Sequence, residues 1–199
     1  SAANRDITAV MEFGYALTKA SVTNGAQFNT IKNCTLSLSR LNNAAGLAPW
    51  HNGTMGIAIL NTLSSAAAAL TPTSAAGTNS NNTIISNTIN GGNAGVVLIG
   101  YATTATALDL GDVNNNIGGS TTATGNTILN FGGAALAGNP ATGIFASNQW
   151  GLNVSYNTIN NNNGTGINHV STLRGIFLSV FIVFFCRIMF PWLKKTYVD

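Results

Sequence analysis

The stretch "NTIISNTINGGNAGVVLIG", residues 82–100, decides the fold. It holds two Asn-Thr-Ile triplets five residues apart, and glycine and a run of branched apolar residues follow them. Asparagine tolerates the left-handed backbone that a sharp corner needs, and its amide bonds to nearby backbone. Short runs of Thr, Ile and Val bounded by Asn and Gly are typical of strands. The stretch therefore predicts short buried strands joined by asparagine corners.

The Asn-Thr-Ile triplet occurs five times along the chain. Because one repeat cannot bury its apolar face alone, several must stack. Stacked strands lie about 4.8 Å apart, so equivalent amides can form a ladder as in cross-β stacks. The repeat thus predicts an all-β solenoid with Ile, Val and Leu inside. Its structural corners are Asn29, Asn82, Asn87, Asn126 and Asn157.

The spacing of the triplets is irregular, so inserts must leave the coils as loops. Residues 7–22 are β-branched and aromatic and are interrupted by Gly14, which favours strands over a helix. The alanine run 66–69 is compatible with one helical turn. We expect coils over residues 1–179. The expected inserts are 44–56, 64–80, 102–125 and 132–142.

The hydrophobic tail, residues 180–199, has a different composition, with no Asn and no Gly. We expect it to be helical. One interpretation is a membrane-spanning helix over 176–193, close to the roughly 20 residues needed, although Arg187 argues against it. A second is a frame-shifted terminus, which the abrupt change favours. A third is a buried cap for the open end of the solenoid.

The chain is nearly free of charge. Charged residues make up 7% of it, against about 25% in an ordinary domain, and Asn alone supplies 28 of the 199 residues. The net charge is +3, but three of the eight basic residues lie within 187–195. Because no basic stripe is present, nucleic acid is not expected as a partner.

The coil motifs resemble a known family. "NNTIISNTINGGNAGVVLIGY" (81–101) and "GLNVSYNTINNNNGTGINHVSTLRGIFLS" (151–179) resemble the right-handed parallel β-helix repeats, similar to pectate-lyase coils, of large secreted bacterial surface proteins exported by the type IX route. The resemblance covers about residues 10–179. It implies a right-handed parallel β-helix in an extracellular or cell-surface protein. The implied role is structural or adhesive, with surface glycans or other surface proteins as partners and a membrane only if the tail is genuine.

A polysaccharide lyase or glycoside hydrolase is the alternative function, because many β-helix proteins are such enzymes. Glycoside hydrolysis usually needs two carboxylates beside the bond. Acids are few in this chain, and only one pair is close in sequence, so no catalytic residue is assigned. The five acids are Asp6, Glu12, Asp109, Asp112 and Asp199.

The close pair of acids raises one metal hypothesis. "DLGDVNNNIGG" (109–119) offers the side-chain oxygens of Asp109, Asp112, Asn114 and Asn116. Calcium takes six to eight oxygen ligands, so these four residues are a calcium candidate. The loop lacks the alternation and distal Glu of an EF-hand, and a plain polar turn is the alternative. No other cofactor is expected.

Aromatic residues supply the candidates for sugar contact. Trp50 and Trp150 lie in loop-like contexts and are the predicted glycan-contact residues. Tyr156 follows the alternation of Leu152 and Val154, so it is predicted to lie in the core.

Overall fold

The computed structural model describes residues 13–38, 54–102, 110–132, 141–161, 172–179 and 187–189, and within them the protein is all-β with parallel sheets. The strands are β1 Phe13–Lys19, β2 Thr30–Lys32, β3 Thr35–Leu38, β4 Met55–Leu63, β5 Ala66–Ala69, β6 Thr83–Ile85, β7 Thr88–Gly91, β8 Ala94–Ile99, β9 Asp112–Val113, β10 Asn116–Gly118, β11 Thr127–Leu129, β12 Ala141–Ser147, β13 Gln149–Trp150, β14 Asn153–Ser155, β15 Thr158–Asn160, β16 Leu173–Ser179 and β17 Arg187–Met189. Two short 3-10 helices span Ala75–Gly77 and Thr122–Thr124.

The chain visits three sheets in a fixed order and returns to the first. The first sheet has the order β1-β4-β8-β12-β16, the second β2-β6-β10-β14-β17 and the third β3-β7-β11-β15. Every pairing within these orders is parallel and joins a strand to its equivalent one repeat later. A short sheet pairs β9 with β13, and β5 lies antiparallel to β4. The prediction of an all-β fold from stacked repeats is confirmed.

The interior is a stack of branched apolar side chains. The isoleucine of the Asn-Thr-Ile triplet faces the interior. Ile84 and Ile89 are examples, and each side chain is at most 1% exposed. In register, Ile84 lies beside Ile117 and Ile89 beside Ile128, so the same residue type meets itself in successive repeats. The alternate face of the first sheet carries a second buried apolar cluster around Val97 and Phe145. Alternation thus gives the first sheet two buried faces.

A column of glycines explains the recurring Gly-apolar motif of the sequence. A Cβ added at Gly56 would lie 2.4 Å from the carbonyl oxygen of Gly95, and one at Gly95 would lie 2.5 Å from that of Gly143. Each would also strike an interior isoleucine, at 2.5 Å in both cases. The first sheet therefore requires glycine here because the neighbouring repeat and the core leave no room for a side chain.

Some predicted loops and turns are strands. The alanine run 66–69 is β5 rather than a helical turn, and it pairs back on β4. The predicted insert 102–125 contains β10, whose residues align with β6 and β14 and complete a repeat. The predicted insert 132–142 ends where β12 begins, at Ala141. The strand predicted within residues 7–22 is confirmed as β1.

The helix predicted for the tail is wrong at every tail residue that the structure describes. Arg187–Met189 is β17, which pairs in parallel with β14. The membrane interpretation also required helix from 176, but residues 176–179 belong to β16. Unpaired backbone at the open edge of β14 is satisfied by a further strand, which a helix cannot supply. Residues 180–186 and 190–199 lie outside the described part.

The described residues contain no helix long and apolar enough to cross a membrane. The division of the chain into coils and tail, and the frame-shift and end-cap interpretations of the tail, stay predictions.

Candidate functional site

Two amide ladders run across the repeats at the ends of the second sheet. In the first, Asn82 Oδ1 accepts hydrogen bonds from the backbone N–H and the amide of Asn29, at 3.0 and 2.9 Å. In the second, Asn126 Oδ1 accepts the same pair from Asn87, at 3.1 and 3.0 Å, and Asn157 Oδ1 accepts them from Asn126. Because each amide both donates and accepts, one rung satisfies the next.

The prediction that the five corner asparagines themselves take the left-handed backbone is wrong. The residue before them takes it in four cases, as Ser86 at φ 55 precedes Asn87. The left-handed residue turns the chain, and the next residue then places its amide in the stack. Asn126 instead follows Gly125 at φ −68. The left-handed residues other than glycine are Phe28, Asn33, Asn81, Ser86, Asn114, Asn130, Asn148 and Tyr156.

Two rungs of the first ladder escaped the sequence analysis. Asn115 Oδ1 accepts from Asn82, and the Asn115 amide donates to Gln149 Oε1 at 2.8 Å. The signal for Asn115 was present, since Asn115-Asn116-Ile117 is the triplet with Asn in place of Thr. The irregular spacing of the triplets nevertheless places these residues in the predicted insert 102–125. Gln149 precedes no such triplet, so its place depends on the register of β13 with β9.

Asp112 is a rung of a third, shorter ladder. Asn79 Oδ1 accepts from the backbone N–H of Ala26 at 2.9 Å, and Asp112 Oδ1 accepts from the N–H of Asn79 at 2.8 Å. A carboxylate cannot donate onward, and Lys19 supplies a cation instead. Its Nζ lies 3.9 Å from Asp112 Oδ1 and donates to the carbonyl of Gly77, and both charged side chains are 0% exposed. The sequence analysis missed Lys19, whose partner lies on a distant strand.

Burial dominates the protonation of this pair. It raises the pKa of the Asp112 carboxyl to about 6, opposed by the hydrogen bond from Asn79, the charge of Lys19 and the hydrogen bond from Gln149. Burial also lowers the pKa of the Lys19 ammonium, and the charge of Asp112 opposes that shift. Lys19 and Asp112 therefore form a pH-dependent group inside the stack.

The structure does not bring the calcium candidates together. Asp109 lies outside the described residues, and Asp112 is buried against Lys19. Asn114 is exposed at a corner with φ 56, and Asn116 Oδ1 accepts a hydrogen bond from the Asn153 amide. The described part of the chain contains no group of three or more His, Cys, Asp or Glu side chains that could hold a metal ion.

The glycan-contact prediction for Trp150 needs correction. Trp150 lies in β13, is 8% exposed, and its indole N–H has no partner among the described residues. A sugar cannot stack on a ring that is packed inside. The pairing of β13 with β9 places Trp150 beside Val113, and a loop-like sequence context does not indicate that pairing. Trp50 lies outside the described residues.

A cleft of about 600 Å³ lies on the outer side of the second sheet. Asn116 and Asn153, paired in register on β10 and β14, line it with Ser155, and the loop that carries Ser120 lines it as well. Tyr156 completes the lining. The lining that the structure describes contains amides, hydroxyls and apolar surface and no charged side chain.

Tyr156 is not the core residue that the alternation predicted. Its φ of 56 ends the alternation after β14, so the side chain lines the cleft and is half-buried. The same corner in earlier repeats carries Asn33 and Ser86. A bulky side chain in the left-handed region is uncommon, and Phe28, also at φ 56, is a second case in this chain.

No protein family, curated protein or solved structure matches this chain.

Proposed function

We propose that the chain is a right-handed parallel β-helix module of an extracellular or cell-surface protein, with a structural and adhesive role rather than a catalytic one. The observation that carries this proposal is the continuity between repeats. The same strand, amide and isoleucine positions recur and bond to one another, as in the register Ile31, Ile84, Ile117 and Val154 of the second sheet.

Such continuity fits a spacer better than an enzyme. A solenoid gains stability from each neighbouring interface and presents long regular faces. Its low charge leaves few groups for acid–base chemistry. Asp112 is the one carboxyl side chain within the described ranges, and it is buried and compensated by Lys19. Glycoside hydrolysis through two carboxylates therefore has no support there.

A turnover assay tests the non-catalytic role. The intact chain is incubated with a panel of neutral and acidic polysaccharides, and new reducing ends and unsaturated products are measured. We expect neither. Turnover of any polysaccharide by the intact chain would overturn the proposal, and the Asp112→Asn variant would then show whether Asp112 takes part in the reaction.

Two further measurements test the fold and the location. We expect the side-chain amide protons of Asn82, Asn87 and Asn126 to exchange slowly with solvent, because each side chain donates to a backbone carbonyl within a buried rung. Fast exchange would contradict the β-helix, and a crystal structure would give its handedness.

In cells that produce the protein, we expect external protease to remove it from intact cells, and full protection would overturn the surface location.

A further inference from the structure

We propose that the cleft lined by Asn116, Ser120, Asn153 and Tyr156 binds a neutral saccharide. This inference rests on the adhesive role proposed above and gives it a site and a ligand class. The cleft volume of about 600 Å³ lies within the range of roughly 300 to 1,000 Å³ of small-molecule sites.

The polar groups of the cleft divide into fixed and free ones. The Asn153 amide donates to Asn116 Oδ1 and to Ser155 Oγ, and Ser155 Oγ donates to the carbonyl of Gly119 at 2.7 Å. These bonds hold the side chains in place before any ligand arrives. Preorganised groups lose little freedom on binding, which favours affinity.

Three groups remain available to a ligand. No described residue bonds to the side-chain hydroxyl of Ser120, the hydroxyl of Tyr156 or Asn153 Oδ1. The two hydroxyls can donate or accept, and the amide oxygen can accept. Together they match the hydroxyls of a sugar, each of which also donates and accepts.

The apolar part of the lining matches the other face of a sugar. Tyr156 offers an apolar ring with a polar tip, and Ile85 adds apolar surface. Tyr156 places an aromatic residue at a corner where the earlier repeats carry Asn33, Ser86 and Gly125. The polar groups described in the lining are amides and hydroxyls, which pair with the hydroxyls of a neutral sugar and favour that class of ligand.

The test measures binding of short neutral oligosaccharides to the intact chain by saturation-transfer NMR and calorimetry, with oligogalacturonates as the acidic set. We expect binding of at least one neutral set and none of the acidic set. Tyr156→Asn should weaken binding about tenfold or more, through loss of the aromatic contact. Asn153→Ala should weaken it by about two- to tenfold, the value of a neutral hydrogen bond.

A matched control separates binding from folding. Asn is the residue that suits a left-handed corner, so Tyr156→Asn should keep or raise the melting temperature while it weakens binding. Phe28 has the same φ of 56 and is 75% exposed, and it is not part of the cleft lining. Phe28→Asn should therefore leave saccharide binding unchanged.

Three results would overturn the inference: no binding of any neutral oligosaccharide, binding of the acidic set only, or equal loss of binding in Phe28→Asn and Tyr156→Asn. None of these affects the structural role, which depends on the turnover and exchange measurements. Turnover of a polysaccharide would overturn the structural role even if the cleft binds sugar.

Discussion

Asn126 and Asp112 are both buried rungs. The side-chain Oδ1 of each accepts a hydrogen bond from a backbone N–H of the preceding repeat. The Asn126 amide donates two hydrogen bonds, to Asn157 Oδ1 and to the carbonyl of Ile84, both at 2.8 Å. The carboxylate of Asp112 has no hydrogen-bond donor and is paired with the ammonium of Lys19 instead. A neutral rung can thus repeat without limit, whereas a charged rung needs its own partner.

The difference also explains why the buried rungs carry amides rather than charged groups. Burying an isolated charge costs several kcal/mol unless it is paired and hydrogen-bonded. A stack with many buried rungs would need a cation for every carboxylate, each placed with the accuracy of Lys19. Amides avoid that requirement because donor and acceptor are on the same group. Asparagine at the buried rungs is therefore a requirement of the stack.

The change expected to have the largest effect is Asn126→Asp. It would place a carboxylate against the carbonyl of Ile84 and the side-chain oxygen of Asn157 with no described cation nearby. We expect the free energy of unfolding to fall by about 5 kcal/mol at pH 8, since donors are lost and a buried charge stands alone. Urea unfolding followed by circular dichroism measures it.

Asn126→Ala is the control, because it removes the rung without adding charge and should cost about 3 kcal/mol. If Asn126→Asp costs no more than Asn126→Ala, the contrast between amide and carboxylate rungs is wrong.

Removing the cation tests the charged rung from the other side. Lys19→Met should cost about 3 to 5 kcal/mol at pH 8, because it leaves the buried carboxylate of Asp112 unpaired. The double variant Lys19→Met with Asp112→Asn should recover most of that loss, since an amide then meets an apolar neighbour. Chemical unfolding of both variants measures the recovery. A double variant as unstable as the single one would show that Lys19 acts by packing alone.

The charged rung should also give the stack a pH dependence. The pKa of Asp112, about 6 when folded against an ordinary 3.8, means that the folded chain holds this proton more tightly than the unfolded chain. Asp112 therefore costs nothing below about pH 4, and its cost grows up to about pH 6, reaching roughly 2 to 3 kcal/mol. Stability measured across this window should fall in the native chain more than in Asp112→Asn. Equal slopes would contradict the shift.

The sequence was informative about the neutral rungs and silent about the charged one. Asn82, Asn87 and their equivalents recur in a fixed triplet, so periodicity alone predicted strands, interior isoleucines and contact between amides. Asn in place of Thr in Asn115-Asn116-Ile117 is enough to hide β10 from the triplet pattern. The physical requirement, an amide followed two residues later by an apolar residue, is unchanged.

Single-copy features leave no periodic signal. The pairing of Lys19 with Asp112 depends on a register between repeats that are 93 positions apart in the chain. The cleft depends in the same way on Tyr156 ending its strand one residue before the alternation would. Both follow from where the coils are interrupted, which the sequence pattern does not specify.

The smallest expected effect comes from the same substitution on an outward amide, Asn90→Asp. Asn90 Oδ1 accepts a hydrogen bond from the Asn130 amide at 2.8 Å in the third sheet, and the residue is half-buried. A carboxylate accepts that bond at least as well, and solvent screens its charge, so we expect a change within about 0.5 kcal/mol. Unfolding at pH 8 beside Asn126→Asp measures it. A loss as large as that of Asn126→Asp would mean that charge is excluded from the whole sheet rather than from its buried rungs.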